Sequence, residues 1–121
     1  MKLHFALFLF VSALGLLPKA DAATIVTLPD NYRIFDVGQY GGSNYAAGRI
    51  TAAGANPLLY NLTTSSQVGI TLPQYNGRTA TSASVASIDS STGTAWVDIN
   101  YPSGLTRSGS VPVSGGTVVH P

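Results

Sequence analysis

The chain contains no cysteine. Small secreted domains often lean on disulfides, so a chain without thiols must be held by strand pairing and apolar burial, and thiolate metal ligation and thiol catalysis are both excluded. Glutamate is missing throughout, and beyond residue 22 lysine and methionine are missing as well. From residue 23 onward, four arginines (Arg33, Arg49, Arg78, Arg107) face four aspartates (Asp30, Asp36, Asp89, Asp98), so the formal charge there cancels. Without net charge or a basic cluster, the counterion release that drives nucleic-acid binding is absent. An anionic membrane surface has equally little to attract. Neither nucleic acid nor membrane insertion is therefore expected.

Residues that carry chemistry are just as scarce. A hydrolytic triad needs a histidine to take the serine proton, and the only histidine after residue 22 is His120, next to last in the chain. One histidine, four scattered aspartates and no cysteine do not make three or four converging ligands, so no metal site, cofactor or catalytic residue is expected. Asp89 and Asp98 flank one expected hairpin and come nearest to a glycosidase-like carboxylate pair. A turn role for Asp89 and a solvated strand position for Asp98 account for them more simply. The chain reads as non-enzymatic.

Long apolar runs are also rare. The single one, Leu3 to Leu17, follows Lys2, breaks at Pro18 and leads to Ala20-Asp21-Ala22, which puts small residues where signal peptidase reads. Residues 1–22 are thus expected to be a secretory signal peptide, and residues 23–121 a single all-β domain with a frayed C-terminal tail. The run falls short of the roughly twenty residues a membrane-spanning helix needs. The expected localisation is secreted and extracellular.

What remains is rich in Ser, Thr, Gly, Ala, Asn and Val, with Ile, Val, Leu, Phe and Tyr spaced too regularly for a disordered chain. No window after the signal segment has a 3.6-residue apolar period. Short β-branched stretches divided by turn residues predict a small β-sandwich or barrel of about eight short strands, with a short β-solenoid as the alternative. Irregular strand spacing favours the sandwich, since a solenoid needs a constant rung.

Residues 24–28 and 32–37 read as strands, Gly38 to Asn44 as a glycine-rich loop, and 45–52 as a strand with a bulge at Gly48. Val68, Ile70 and Leu72 alternate with Gly69 and Thr71, so one face of that strand is expected in the core. Asp89 to Gly93 predicts a hairpin loop. The strand after it places Ala95, Val97, Ile99 and Tyr101 on a core face and Thr94, Trp96, Asp98 and Asn100 on the other. Pro112 suits an edge strand, because proline donates nothing to a ladder.

Trp96, with Thr94, Asp98 and Asn100 beside it, is the candidate binding platform: an outward aromatic can stack on a sugar ring or anchor an interface. Coverage of that face by other segments would instead make Trp96 a core residue. Asn61-Leu62-Thr63 is an N-glycosylation acceptor sequence that a eukaryotic secretory pathway would read at Asn61.

Residues 34–62 carry Phe35, Gly38, Gln39, Ser43, Asn44, Gly48, Arg49, Ile50, Gly54, Asn56, Leu59 and Tyr60 in a F-x-x-G-Q…S-N…G-R-I…G-x-N order. This stretch resembles the opening of the choice-of-anchor A, ice-binding-like adhesive domain of secreted and surface proteins. It covers about a quarter of the chain, is one residue short between Gly38 and Gly48, and lacks the acidic residues usual before Gly48. The resemblance implies a β-rich, solenoid-like adhesive domain without enzymatic activity.

The expected function is a secreted, non-catalytic extracellular binding, adhesive or structural protein. The alternative is a small secreted effector or defence-type protein that binds a specific receptor or glycan. Expected partners are an extracellular polymer, a glycan or a protein surface, with self-association through sheet edges a further expectation because few charges blunt those edges. If the signal reading holds, the secreted chain begins at Ala23 by intact-mass spectrometry. Recovery of the unprocessed chain from the medium would overturn it.

Overall fold

The computed structural model describes residues 3–7, 24–28, 31–52 and 55–120. The chain forms two compact units, residues 1–30 and 31–121. In the first unit, β1 (Leu3–Leu7) pairs antiparallel with β2 (Thr24–Leu28), Leu3 standing opposite Leu28 and Leu7 opposite Thr24. Both are apolar or β-branched runs suited to a pleated ladder. The strand expected to open the domain takes its ladder partner from the N-terminal segment.

The second unit is all-β. Its first sheet runs β3 (Tyr32–Tyr40), β4 (Ser43–Ile50), β5 (Pro57–Asn61) and β6 (Ser66–Gln67), antiparallel and in chain order. β3 and β4 meet across a two-residue turn where Gly41 and Gly42 have φ of 59° and 80°. Positive φ at both central residues is what a tight hairpin of this kind requires, and glycine supplies it without steric cost. The loop expected over Gly38 to Asn44 is therefore mostly strand. The bulge expected at Gly48 lies instead across the ladder, at Phe35, where pairing skips from Ile34–Gly48 to Asp36–Ala47. Gly48 is the residue that permits it: a Cβ there would lie 1.8 Å from the Arg33 carbonyl oxygen.

After β7 (Ile70–Thr71), the chain builds a second sheet from β8 (Ser82–Asp89), β9 (Thr94–Tyr101) and β10 (Leu105–Pro112), with β9 in the centre. A short 3-10 turn, Pro102–Gly104, joins β9 to β10. β11 (Gly116–Thr117) pairs in parallel with β7, and Val119 exchanges both backbone hydrogen bonds with Ser110 of β10. The C-terminal segment is thus wedged between β7 and β10, where Val118 is buried. The segment expected to fray has backbone groups paired on both sides, Val118 N with Thr71 O and Val119 with Ser110. Gly109 makes room for it, since a Cβ there would meet Val118 Cγ1 at 2.5 Å.

The two sheets share one core. Tyr45, Ala47 and Leu59 of the first face Ala83, Val85, Ile88, Ala95, Val97, Ile99, Tyr101 and Val111 of the second, with Val113 and Val118 closing one side. β8 is the strand that lies against β3, β4 and β5. This is a two-sheet, sandwich-like arrangement. Among the described residues neither sheet closes into a barrel, and the antiparallel meanders exclude the solenoid, whose rungs would run parallel.

Val97 and Ile99 are fully buried as expected, whereas Val68, Ile70 and Leu72 are half-buried and pack against the margin of the core. The strand expected there is split at Val68-Gly69, because Ser66–Gln67 pairs with β5 and Ile70–Thr71 with β11. No helix among the described residues is long and apolar enough to cross a membrane.

One carboxylate ties the sheets together. Asp36, turned inward by the Phe35 bulge, accepts hydrogen bonds from its own neighbour Val37 N at 2.9 Å and from Ile88 N at 2.8 Å. Ile88 stands just past a second bulge, between Val85 and Ser87, so two ladder irregularities face each other and the carboxylate fills the gap. Asp36→Ala is expected to cost about 1.5–3 kcal/mol, the range for a hydrogen bond to a charged group whose loss leaves a donor unmet. Gly48→Ala should cost about 1–3 kcal/mol through overpacking against the β3 backbone. Urea denaturation of each variant reads the losses, and wild-type midpoints would refute both assignments.

Candidate binding face

Strict alternation along β9 decides what the second sheet presents to solvent. Ala95, Val97, Ile99 and Tyr101 point inward and are buried, while Trp96, Asp98 and Asn100 are exposed and Thr94 is half-buried. All four expected platform residues therefore lie on one outer face. Trp96 is 43% exposed, so the alternative of a core tryptophan does not hold.

The flanking strands explain why the indole stays uncovered. Directly opposite Trp96 stand Ser87 on β8 and Ser110 on β10, both too small to fold over the ring. Opposite Asp98 are Ser84 and Ser108, and opposite Asn100 are Ser82 and Thr106. Residues directly opposed on one face of a sheet are close enough to interact, and here they do. The Asn100 amide donates to Ser82 Oγ at 2.8 Å and accepts from Thr106 Oγ1 at 2.9 Å, while Ser108 Oγ donates to Asp98 Oδ1 at 2.9 Å. The polar groups beside Trp96 are held in fixed orientations across three strands.

Asp89 and Asp98 are not brought together. Asp89 pairs with Thr94, four positions from Asp98 along β9, or about 13 Å at the usual rise of a strand. That exceeds the carboxylate spacing of either glycosidase class. The Asp89 carboxylate is committed to its own loop, accepting from Ser91 Oγ at 2.6 Å and Ser91 N at 3.0 Å, and these bonds hold its pKa below the usual value. Among the described residues no three histidine or acidic side chains converge on a metal-sized site.

Asn61 closes β5 with its side-chain oxygen accepting from the backbone N–H of Thr63 and Thr64, an Asx turn. Thr63 Oγ1 in turn accepts from Asn44 N, and Leu62 is buried. The acceptor sequence is thus part of a packed strand end, with the Asn61 oxygen and the Thr63 hydroxyl already engaged.

No protein-family model, curated protein or solved structure matches this chain. Its function has to be argued from its own residues.

The residues that sequence reasoning passed over gather around His120. Its Nε2 lies 3.0 Å from Tyr101 Oη and its Nδ1 lies 3.2 Å from the Ser108 carbonyl, while the Tyr101 hydroxyl donates to the Pro73 carbonyl at 2.7 Å. A neutral ring carries one N–H and completes two of these three contacts. Tyr75 packs against both Tyr101 and His120, and the Arg107 guanidinium sits 4.6 Å from the centre of the Tyr75 ring. This cluster fastens the C-terminus to β9 and the segment before β8. Only a hint of it was legible, since Tyr101 was expected in the core but His120 lies far from it in sequence.

Burial raises the pKa of Tyr101 above the ordinary phenol value of 10.0, with the Arg107 charge opposing it. A raised folded-state value means that the neutral phenol stabilises the fold fully below about pH 10 and that this contribution is lost as pH climbs through the higher folded value. The melting temperature is therefore expected to fall above pH 10 in the wild type and to fall less steeply in Tyr101→Phe. Parallel alkaline profiles for the two proteins would refute the assignment.

Proposed function

We propose that this protein is a secreted, non-catalytic binding or adhesive protein of the extracellular space, and that the outer face of β8, β9 and β10 is its contact surface. The observation that carries this reading is the exposed Trp96 on a hydroxyl-lined sheet face. A large aromatic exposed on a rigid strand is a ready anchor, and most binding energy at interfaces is concentrated in such residues. Around it, serine, threonine, aspartate and asparagine groups supply oriented donors and acceptors without net positive charge. That chemistry suits a glycan or an extracellular polymer better than a nucleic acid or a membrane.

The N-terminal leader-like segment supports secretion. Removal of residues 1–22 would also take away β1 and leave β2 without its ladder partner. A freed strand edge of that kind is a route to self-association.

Trp96→Ala is expected to weaken retention on insoluble polysaccharide by about 1–3 kcal/mol, in the range for loss of an aromatic anchor. The melting temperature should hold within a few degrees, because the indole is largely outside the core. The measurement is a pull-down on cellulose, chitin and β-glucan alongside thermal unfolding. Unchanged retention of the variant on every matrix that holds the wild type would remove the platform from consideration.

A further inference from the structure

At one end of the sandwich three connections converge: the β3–β4 turn, the β8–β9 loop and the turn after β10. Between them is a cleft of about 340 Å³, lined by Tyr40, Gly41, Tyr45, Thr92, Gly93, Pro112, Val113 and Ser114. Its size lies at the lower end of the roughly 300–1,000 Å³ usual for small-ligand sites. None of these side chains is acidic or basic, so no side chain there offers a charge to pair with a charged ligand. It offers aromatic and apolar surface with hydroxyl groups set between.

The aromatic wall is pre-formed. Tyr40 lies over Gly93, where a Cβ would be 2.4 Å from the ring's Cε2 and 2.6 Å from Cδ2 and Cζ, the pattern of an approach to the ring face. Gly93 also needs its φ of 67° to close the hairpin, and its backbone is fixed by hydrogen bonds from Gly93 N to Asp89 O and from Val113 N to Gly93 O. One side of the Tyr40 ring is thus seated on a rigid loop, and the residue remains 43% exposed. The hydroxyls of Tyr40, Tyr45 and Ser114 have no hydrogen-bond partner among the described residues. Thr92 Oγ1 donates to Thr94 Oγ1 and keeps its lone pairs.

The cleft also opens onto the contact surface already described. Pro112 lines the cleft and stands opposite Thr94 on the outer face, and Thr94 is two positions, about 7 Å, from Trp96 along β9. Cleft, Thr94–Pro112 row and Trp96 thus follow one another in register along the second sheet. We infer that the cleft is a subsite for one neutral sugar ring, stacked on Tyr40 and hydrogen-bonded by the Tyr45, Thr92 and Ser114 hydroxyls, with the next residues of the same glycan running over Pro112 toward Trp96. This inference deepens the binding-face reading, on which it rests, by naming the ligand class as an uncharged oligosaccharide.

The test is isothermal titration of the secreted chain with cellohexaose, chitohexaose, laminarihexaose and mannohexaose. Three variants are compared, each with its melting temperature. Tyr40→Ala removes the stacking wall and is expected to weaken binding about tenfold, as loss of an aromatic face predicts. Ser114→Trp fills the cleft from an exposed turn position without touching the core, and should weaken binding at least as much even if Tyr40→Ala proves unstable. Trp96→Ala reports on the outer face alone. Losses in all three support the subsite and its continuation toward Trp96. Loss in Trp96→Ala with wild-type binding in a stably folded Tyr40→Ala and in Ser114→Trp overturns the cleft while the face stands. Wild-type failure to bind any of the four oligosaccharides, with Trp96-dependent retention on a matrix preserved, likewise overturns the cleft alone.

Discussion

Close approach between the two sheets is the constraint on which the rest of this structure depends. With no disulfide to hold it, the second unit relies on β8 lying against β3, β4 and β5, and that contact survives only where side chains are withheld. Gly38 faces Ile88 so closely that a Cβ would come within 2.8 Å of it, and Gly93 sits directly under the Tyr40 ring. Asp36 then spans the seam to reach Ile88 N. Apolar burial provides the drive, but glycine spacing and one inward carboxylate determine where the sheets can meet.

The same constraint arranges the surface. Once β9 is the centre of a sheet whose inner face is filled by Ala95, Val97, Ile99 and Tyr101, its other side chains are committed to solvent. Short hydroxyl side chains on β8 and β10 leave the indole bare and lock the neighbouring amide and carboxylate. The end of the sandwich, where three turns meet, is shaped by the glycines the turns require, which is why a cleft with an aromatic wall opens there. A stable core and a preorganised exterior are two outcomes of one alternation.

How legible this was depends on the residue. The face assignments of β9 were readable because the alternation from Thr94 to Tyr101 is unbroken. The split between β6 and β7 was not, since the alternation of Val68, Ile70 and Leu72 reads as one strand, and only the pairing of Ser66–Gln67 with β5 and of Ile70–Thr71 with β11 shows two separate ladders. Most of β10 was missed because Thr106 to Ser110 is polar on one face and has only Arg107 and Gly109 on the other. The two bulges were equally hidden. The glycine at position 48 announced an irregularity, but it permits a bulge on the opposite strand instead of forming one.

Sequence alone determined the all-β class, with no α-helix among the described residues, and which side chains share each face of β9, because composition and period-2 patterning act locally through backbone preference and burial. Tertiary structure decided which strands are neighbours, that Asp36 joins the sheets, that the C-terminal segment is wedged between β7 and β10, and that Tyr40, Thr92 and Ser114 share a cleft. Each of these joins residues far apart in the chain, and such contacts are selected by packing against partners that no local pattern names.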